Sequence, residues 1–155
     1  MRCWSSWERS REGMPAKRIS DKQRQQVIKR ANGYCEYCRC PDSFTSDPFS
    51  VDHIIPKVRG GKTTPGNLAY ACQGCNGKKR DKVKAIDPFT DDTVPLFHPR
   101  RQQWSDHFEW NEDFTLIVGL TTCGRATVDA LDLNRKGIVN LRRLLRNSNY
   151  HPPEE

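Results

Sequence analysis

The sequence has no long apolar stretch and little apolar material overall. Hydrophobic residues make up 35% of its 155 residues, and the mean hydropathy is −0.85. The first fifteen residues carry Arg2, Arg9 and Arg11 and no apolar run, which is typical of neither a secretory signal peptide nor a membrane span. We therefore expect one small domain with appendages, a modest core, a cytoplasmic location and no membrane partner.

Acidic residues are scarce in the middle of the chain. From His53 to Lys84 the only acid is Asp81, whereas the same stretch holds the basic residues Lys57, Arg59, Lys62, Lys78, Lys79, Arg80, Lys82 and Lys84. The whole chain has a net charge of +7 at pH 7. A basic run is often only a solvated surface. Here the excess is localised around a candidate site, which favours a partner that carries phosphate groups.

The cysteines do not have the pattern of a secreted disulfide framework. Four of the seven form two Cys-x-x-Cys pairs, Cys35 with Cys38 and Cys72 with Cys75, separated by 33 residues. Each pair can fold as a tight knuckle that directs two thiolates at one ion, typically zinc. We predict one structural Zn²⁺ on these four residues, which would supplement a small core in a reducing cytoplasm. We interpret Cys40 as a bystander thiol.

A second pattern lies between and just after the cysteine pairs. It runs through Val51-Asp52-His53-Ile54-Ile55-Pro56, Gly60-Gly61 and Asn67-Leu68, and ends with Asn76 and Lys79 after the last cysteine. Hydrolysis of a phosphodiester needs a base, and an imidazole titrates near the operating pH. Adjacent residues of a strand face opposite sides. One side chain of the Asp-His pair can therefore face a metal ion while the other faces the attacking water.

These elements, in this order, resemble the HNH endonuclease family, in a His-Asn-Asn version because Asn76 holds the last position. The resemblance covers about a third of the chain and implies the ββα-metal fold. It also implies Asp52 and Asn76 as ligands of a catalytic ion, His53 as general base, and Asn67 as the residue that holds the hairpin loop and orients the base. Oxygen ligands favour Mg²⁺ or Mn²⁺. The implied activity is endonucleolytic hydrolysis, with DNA as the substrate.

Local patterns predict an N-terminal helix before the first knuckle. Ser20 and Gln23 have the spacing of a capping box, the helix is expected over residues 21–32, and Gly33 is well placed to end it. We interpret residues 1–16 as a disordered arm.

The motif itself is predicted to form two strands and a helix. Residues 49–55 alternate as in a strand, and residues 68–71 form the return strand of the hairpin. A helix over 75–83 would present Asn76 and Lys79 along one face. The predicted fold class is thus α+β, a ββα-metal finger with a zinc knuckle inside a nuclease core of residues 17–86, flanked by an N-terminal helix and a C-terminal hairpin plus two helices.

Residues 87–146 are predicted to form a C-terminal extension. Its expected elements are an extended connector over 87–101, a hairpin of 108–110 with 114–118, and helices over 125–133 and 136–146. Residues 147–155 are expected to form a disordered tail. Arg142 and Arg143 in the last helix are interpreted as parts of a solvated face.

Two other function classes compete with the nuclease. One is a non-catalytic, zinc-stabilised nucleic-acid-binding module, which the set of Asp52, His53, Asn67 and Asn76 disfavours. The other is a purely structural zinc-ribbon interaction domain, which the basic cluster disfavours. The residues expected to contact nucleic acid are Lys57, Arg59, Lys62, Lys78, Lys79 and Arg80. The sequence indicates no oligomeric state.

Overall fold

The computed structural model describes residues 18–154, so the predicted N-terminal arm lies outside the described residues. The helices within that range are α1 (Asp21–Ala31), α2 (Gln73–Lys79), α3 (Trp104–His107), α4 (Thr122–Ala130) and α5 (Lys136–Asn147). Three antiparallel strand pairs accompany them: β1 (Ser50–His53) with β2 (Leu68–Ala71), β3 (Lys84–Ile86) with β4 (Thr93–Pro95), and β5 (Phe108–Trp110) with β6 (Ile117–Gly119). The α+β class is confirmed. No helix of the described residues has the length and apolarity needed to cross a bilayer.

Helix α1 begins and ends as its local signals predict. The Ser20 hydroxyl accepts the Gln23 backbone N–H, and the Gln23 side chain accepts the Ser20 N–H, which completes the capping box. Asn32 takes the left-handed conformation and Gly33 follows at φ 75°, so the helix ends at Ala31. The buried Val27 and Ala31 turn towards the hairpin, where α1 packs on β2.

The hairpin and α2 form the predicted ββα unit. Asp52 pairs with Ala69 and His53 with Leu68, and all of β2 is buried. Asp52 is buried while His53 is half-buried, so the two side chains face opposite sides of β1 as expected. Strand β1 is shorter than the predicted 49–55 because the side chain of Asn67, rather than a partner strand, bonds the backbone of Ile55.

Helix α2 differs in its bounds from the predicted 75–83. It begins two residues earlier, because the Cys72 sulfur accepts the Cys75 N–H and caps the first turn. It ends at Lys79, because Arg80 takes a positive φ of 49°. The chain is then free to form β3, which pairs with β4 in the segment where an extended connector was expected. The segment is therefore more than a connector, since Thr93–Pro95 pairs as β4; Pro95, which lacks an N–H, is tolerated as the last residue of this edge strand.

The C-terminal extension holds the predicted hairpin and two helices, with α4 shifted towards the N-terminus because the Thr121 hydroxyl caps it. The tail differs from the expected disorder. His151 is buried, its ring and that of Trp110 form a T-shaped pair with 4.5 Å between centroids, and its Nε2 bonds the Phe114 carbonyl oxygen at 2.7 Å. An imidazole offers both a flat face and a polar tip, which allows this docking.

Two side chains of the extension attach it to the cysteine knuckle. The indole N–H of Trp104 donates to the Tyr37 carbonyl at 3.0 Å, and Arg142 donates to the Cys38 carbonyl at 3.2 Å. Arg142 is only 1% exposed, so its assignment to a solvated face is wrong. Its guanidinium lies 5.1 Å from the Trp110 ring centroid and makes three further bonds, to the Leu133 carbonyl, the Thr115 carbonyl and Asn134 Oδ1.

We predict that Arg142→Met destabilises the protein by roughly 2–4 kcal/mol, because four acceptors in a buried region lose a charged donor. Arg143→Met, one position along on the exposed side of α5, is the matched control and should change the unfolding free energy by less than about 0.5 kcal/mol. Urea unfolding monitored by circular dichroism measures both. Equal effects of the two substitutions would contradict the assigned role of Arg142.

Candidate metal centre and active-site cleft

Four cysteines from two knuckles meet in the interior. The ligand atoms of Cys35, Cys38, Cys72 and Cys75 all lie within 4.8 Å of one another, and all four residues are buried. The Sγ atoms of Cys38 and Cys72 are 3.7 Å apart. Sulfurs bound tetrahedrally to one zinc ion at about 2.3 Å stand about 3.8 Å apart, so the cluster fits such an ion. Cys40 is buried nearby but lies outside this group of four.

Arg135 covers this cluster from outside the knuckles. Its guanidinium nitrogens donate to the Cys72 sulfur at 3.2 Å and to the Cys75 sulfur at 3.7 Å. Burial opposes the charged form, but the neighbouring thiolates raise the pKa of Arg135 above its ordinary value. The guanidinium also lies against Gly74, where a Cβ would overlap it. A cation is therefore held in contact with two of the four sulfurs.

The Asp-His pair opens onto a separate cleft of about 300 Å³. Asp52, His53 and Asn76 line it, and Lys57 and Arg80 lie at its rim with their side chains exposed. Strand β1 supplies the first two side chains, and helix α2, which packs against β1, supplies Asn76. The three residues that the sequence selected as base and ion ligands thus line one cleft.

Asp52 already has two donors in the interior. Its Oδ2 atom accepts the Tyr37 hydroxyl and the Lys79 ammonium, each at 3.0 Å. Burial raises the pKa of Asp52, and the positive charge of Lys79 partly offsets that rise. Because both donors reach the same oxygen, the carboxylate is fixed in orientation.

Lys79 is not part of the exposed basic surface. Its side chain is 2% exposed, and its ammonium also donates to the His53 carbonyl at 3.2 Å. The expectation that Lys79 contacts nucleic acid is therefore wrong, because α2 turns this residue towards β1. The other residues expected to contact nucleic acid are exposed: Lys57, Arg59, Lys62, Lys78 and Arg80.

His53 is held at one ring nitrogen. Its Nε2 lies 2.9 Å from the Thr63 hydroxyl oxygen, across the loop of the hairpin. Burial lowers the pKa of His53, and the charge of Lys57 lowers it further. Both effects favour the neutral imidazole, which is able to accept a proton.

Asn67 uses its whole side chain to shape the loop after β1. Its Oδ1 accepts the Ile55 N–H at 2.8 Å, and its Nδ2 donates to the carbonyls of Ile55 and Lys62, each at 2.9 Å. Gly61 is required beside it, since a Cβ there would overlap the Ile55 carbonyl. Asn67 was grouped with the catalytic residues, and its geometry is that of a positioning residue.

Comparison with known proteins agrees with this geometry. Residues 35–82 match the HNH endonuclease family. This segment is an HNH endonuclease domain. A similar protein is the CRISPR-associated endonuclease Cas9 of Corynebacterium diphtheriae, which is 36% identical over 76 residues, 48% of this chain and 7% of the relative. The chain spans a small part of that relative, so the likeness concerns the HNH domain.

Three residues of the site escaped sequence analysis. Tyr37 lies inside the first knuckle of the HNH domain, Thr63 lies in the hairpin loop, and Arg135 belongs to the C-terminal extension. The Tyr37 and Thr63 side chains reach the Asp-His pair from 15 and 10 residues away, and no local pattern predicts those distances. Arg135 reaches Cys72 across 63 residues, which only the folded chain reveals.

We predict that Lys79→Met destabilises the HNH domain by roughly 2–4 kcal/mol, because it leaves the Asp52 carboxylate buried without its cation. Lys78→Met is the matched control. Lys78 is half-exposed and pairs with Asp132 at 3.7 Å on the surface, so its loss should cost less than about 1 kcal/mol.

The pair can be tested for coupling with the double variant Asp52→Asn, Lys79→Met. Removing both charges should recover much of the loss seen in Lys79→Met, because the penalty comes from the unpaired charge. Unfolding free energies from urea titration give the coupling. Simple additivity of the two substitutions would show that Asp52 and Lys79 do not form the ion pair.

Proposed function

We propose that this protein is a metal-dependent endonuclease that hydrolyses phosphodiester bonds in DNA. The observation that carries the proposal is the shared cleft of Asp52, His53 and Asn76. A carboxylate, an imidazole and an amide are the groups needed to bind an ion and activate a water. DNA, rather than another nucleic acid, is inferred from the resemblance to HNH endonucleases.

Asp52 and Asn76 would hold the catalytic ion. The Tyr37 hydroxyl and Lys79 ammonium occupy Oδ2 of Asp52, which leaves Oδ1 for the ion, and Asn76 adds an amide oxygen. Such hard oxygen donors suit Mg²⁺ or Mn²⁺. When bound, the ion would stabilise negative charge on the phosphate oxygens as a Lewis acid.

His53 would act as general base at its Nδ1 atom. In the tautomer that this role requires, Nε2–H donates to the Thr63 hydroxyl, and the lone pair of Nδ1 takes a proton from the attacking water. The lowered pKa of His53 supports this role because the base must start in its neutral form. Thr63 holds the ring in place, and Asn67 holds the loop that carries Thr63.

Lys79 would keep the catalytic strand in place. Its ammonium bonds both the Asp52 carboxylate and the His53 carbonyl, so the ion ligand and the base share one buried cation. Holding the reacting groups in one geometry is a large part of catalysis by any such site.

The exposed basic residues would bind the phosphate backbone around the cleft. Lys57 and Arg80 line its rim, and Lys62 lies in the adjacent loop. Two others have surface partners that phosphates could replace, since Arg59 lies 3.9 Å from Asp81 and Lys78 lies 3.7 Å from Asp132. Contacts of this kind position the protein on its substrate without reading sequence.

A structural zinc ion would occupy the cluster of four cysteines. Its sulfur spacing fits a tetrahedral ion, and Arg135 and Arg142 offset the negative charge of four thiolates. Thiolates of this kind persist in a reducing compartment, which supports a cytoplasmic location.

A second candidate function is a nucleic-acid-binding module without catalysis. The buried pair favours it, since Asp52 already has a cation within 3.0 Å and is not dependent on a metal ion for charge balance. The exposed basic residues serve this function equally well, so activity measurements must separate the two.

We predict that the purified protein cleaves plasmid DNA with Mg²⁺ or Mn²⁺. His53→Ala should reduce the rate by on the order of 10²–10⁴, because it removes the base and leaves the ion ligands. DNA affinity and zinc content should stay near those of the parent. Gel analysis with mapping of the product ends measures cleavage.

Asp52→Ala should also lose activity, and raised Mg²⁺ should recover part of it because one ion ligand has gone. His107→Ala, a histidine outside the cleft, is the control for contaminating nuclease. If the parent cuts nothing in either ion, the binding module is the better function. A parental rate for His53→Ala would show that the base lies elsewhere.

The zinc assignment predicts one tightly held zinc ion per chain. Cys35→Ser should lose it and destabilise the fold, since zinc-binding energy in such sites is folding energy. Cys40→Ser is the matched control: this thiol is buried beside the cluster but outside it, and its variant should keep the ion. Elemental analysis measures the zinc content of both variants. Purified parent without zinc would contradict the assignment.

A further inference from the structure

A second cavity lies beside the active-site cleft. It has a volume of about 430 Å³, within the range of small-molecule sites, and its floor is apolar, formed by Ile54, Val83, Leu96 and Phe97. None of these residues takes part in the cleavage chemistry described above.

The cavity and the cleft share a wall. His53 faces the cleft, and the next two residues, Ile54 and Ile55, line the cavity. Lys79 also lines the cavity, while its ammonium bonds Asp52 and the His53 carbonyl. A group in the cavity would therefore be a close neighbour of a phosphate in the cleft.

Positive charge surrounds the opening. Lys82, Lys84 and Arg101 line it with exposed side chains, and no acidic residue is among the described residues that form the cavity. An apolar floor below a basic rim matches a flat heterocycle that carries a phosphate on either side.

His98 adds a hydrogen-bond donor to the wall. Its Nδ1 accepts the Arg100 N–H at 3.2 Å, so the proton of the neutral ring lies on Nε2. Burial lowers the pKa of His98, which favours that neutral form. Within residues 18–154, the buried Nε2 has no hydrogen-bond partner. A buried donor of this kind usually has a partner, and a ring nitrogen or carbonyl oxygen of a base would supply one once the His98 ring turns towards the cavity.

We propose that this cavity receives an unpaired nucleobase of the nucleic-acid substrate, next to the phosphate that is cut. The inference rests on the proposed function of the cleft and deepens it by naming the substrate class. Removing a base from a paired stack costs free energy, and this cost is smallest where the base is already unpaired. The preferred substrate is thus a strand with an unpaired nucleotide, such as a bulge or single-stranded junction.

Binding to matched oligonucleotides tests the proposal. The full-length His53→Ala protein, zinc-loaded and without magnesium, is titrated with a duplex that carries one bulged 2-aminopurine, the same duplex with an abasic bulge, and a fully paired duplex. We expect the bulged base to bind roughly tenfold more tightly than the abasic site, as stacking of one base provides. The 2-aminopurine fluorescence should change on binding. Equal affinity for base and abasic site, with unchanged fluorescence, overturns the proposal.

A cavity-filling variant tests whether the preference for the bulged base arises in this cavity. Val83→Trp places an indole over the apolar floor and should abolish the preference for the base while leaving affinity for the paired duplex unchanged. Val118→Trp, the same change at an exposed position of β6, should keep the preference. If Val83→Trp does not fold, His98→Phe keeps the ring volume, removes the donor and should lower the preference. A full preference in a folded cavity variant assigns the base to another site.

Cleavage separates this inference from the proposed function. A parent enzyme that cuts plasmid DNA but does not distinguish base from abasic site overturns the cavity assignment alone. A protein that prefers the unpaired base but cuts no substrate with Mg²⁺ or Mn²⁺ overturns the nuclease and supports the base site.

Discussion

The need to bury four cysteine sulfurs in one place constrains the whole molecule. The sulfurs come from the loop after α1 and from the first turn of α2, so their meeting fixes both ends of the hairpin between them. A group of thiolates is stable in the interior only with compensating positive charge. Arg135 supplies it directly, and Arg142 bonds the Cys38 carbonyl. Both arginines belong to the C-terminal extension, which is therefore part of the candidate metal centre rather than an appendage.

The buried pair of Asp52 and Lys79 has a different role. A buried ion pair adds little net stability, because desolvation of two charges offsets their attraction. Its effect is geometric. With Tyr37 on the same oxygen, the carboxylate has one orientation, and the His53 carbonyl is tied to the same ammonium. The ion pair thus fixes the positions of Asp52 and His53 while adding little to the free energy of unfolding. Such an arrangement is common where a residue serves function rather than stability.

Sequence patterns predicted correctly those elements that depend only on neighbouring residues. The capping box of α1, the return strand over residues 68–71 and the pairing of Cys-x-x-Cys motifs all depend on spacing within a few residues. It was harder to predict which side of a helix is buried. Helical periodicity groups Asn76 with Lys79, but tertiary packing decides that Lys79 turns inward while Lys78 stays outside. The contacts of Arg135 with Cys72 and of Arg142 with Cys38 span 63 and 104 residues, so no short window contains them.

The contacts of Tyr37 bear on whether residues 35–82 can function apart from the rest of the chain. Its carbonyl accepts the Trp104 indole from the extension, and its hydroxyl donates to the Asp52 carboxylate in the cleft. One residue therefore links a distant part of the chain to the candidate active-site cleft through a rigid aromatic ring. A recombination event that transplanted only residues 35–82 would carry the cysteines, the imidazole and the carboxylate, yet leave Trp104, Arg135 and Arg142 behind. The unit that can be inherited intact is larger than the unit that the motif defines.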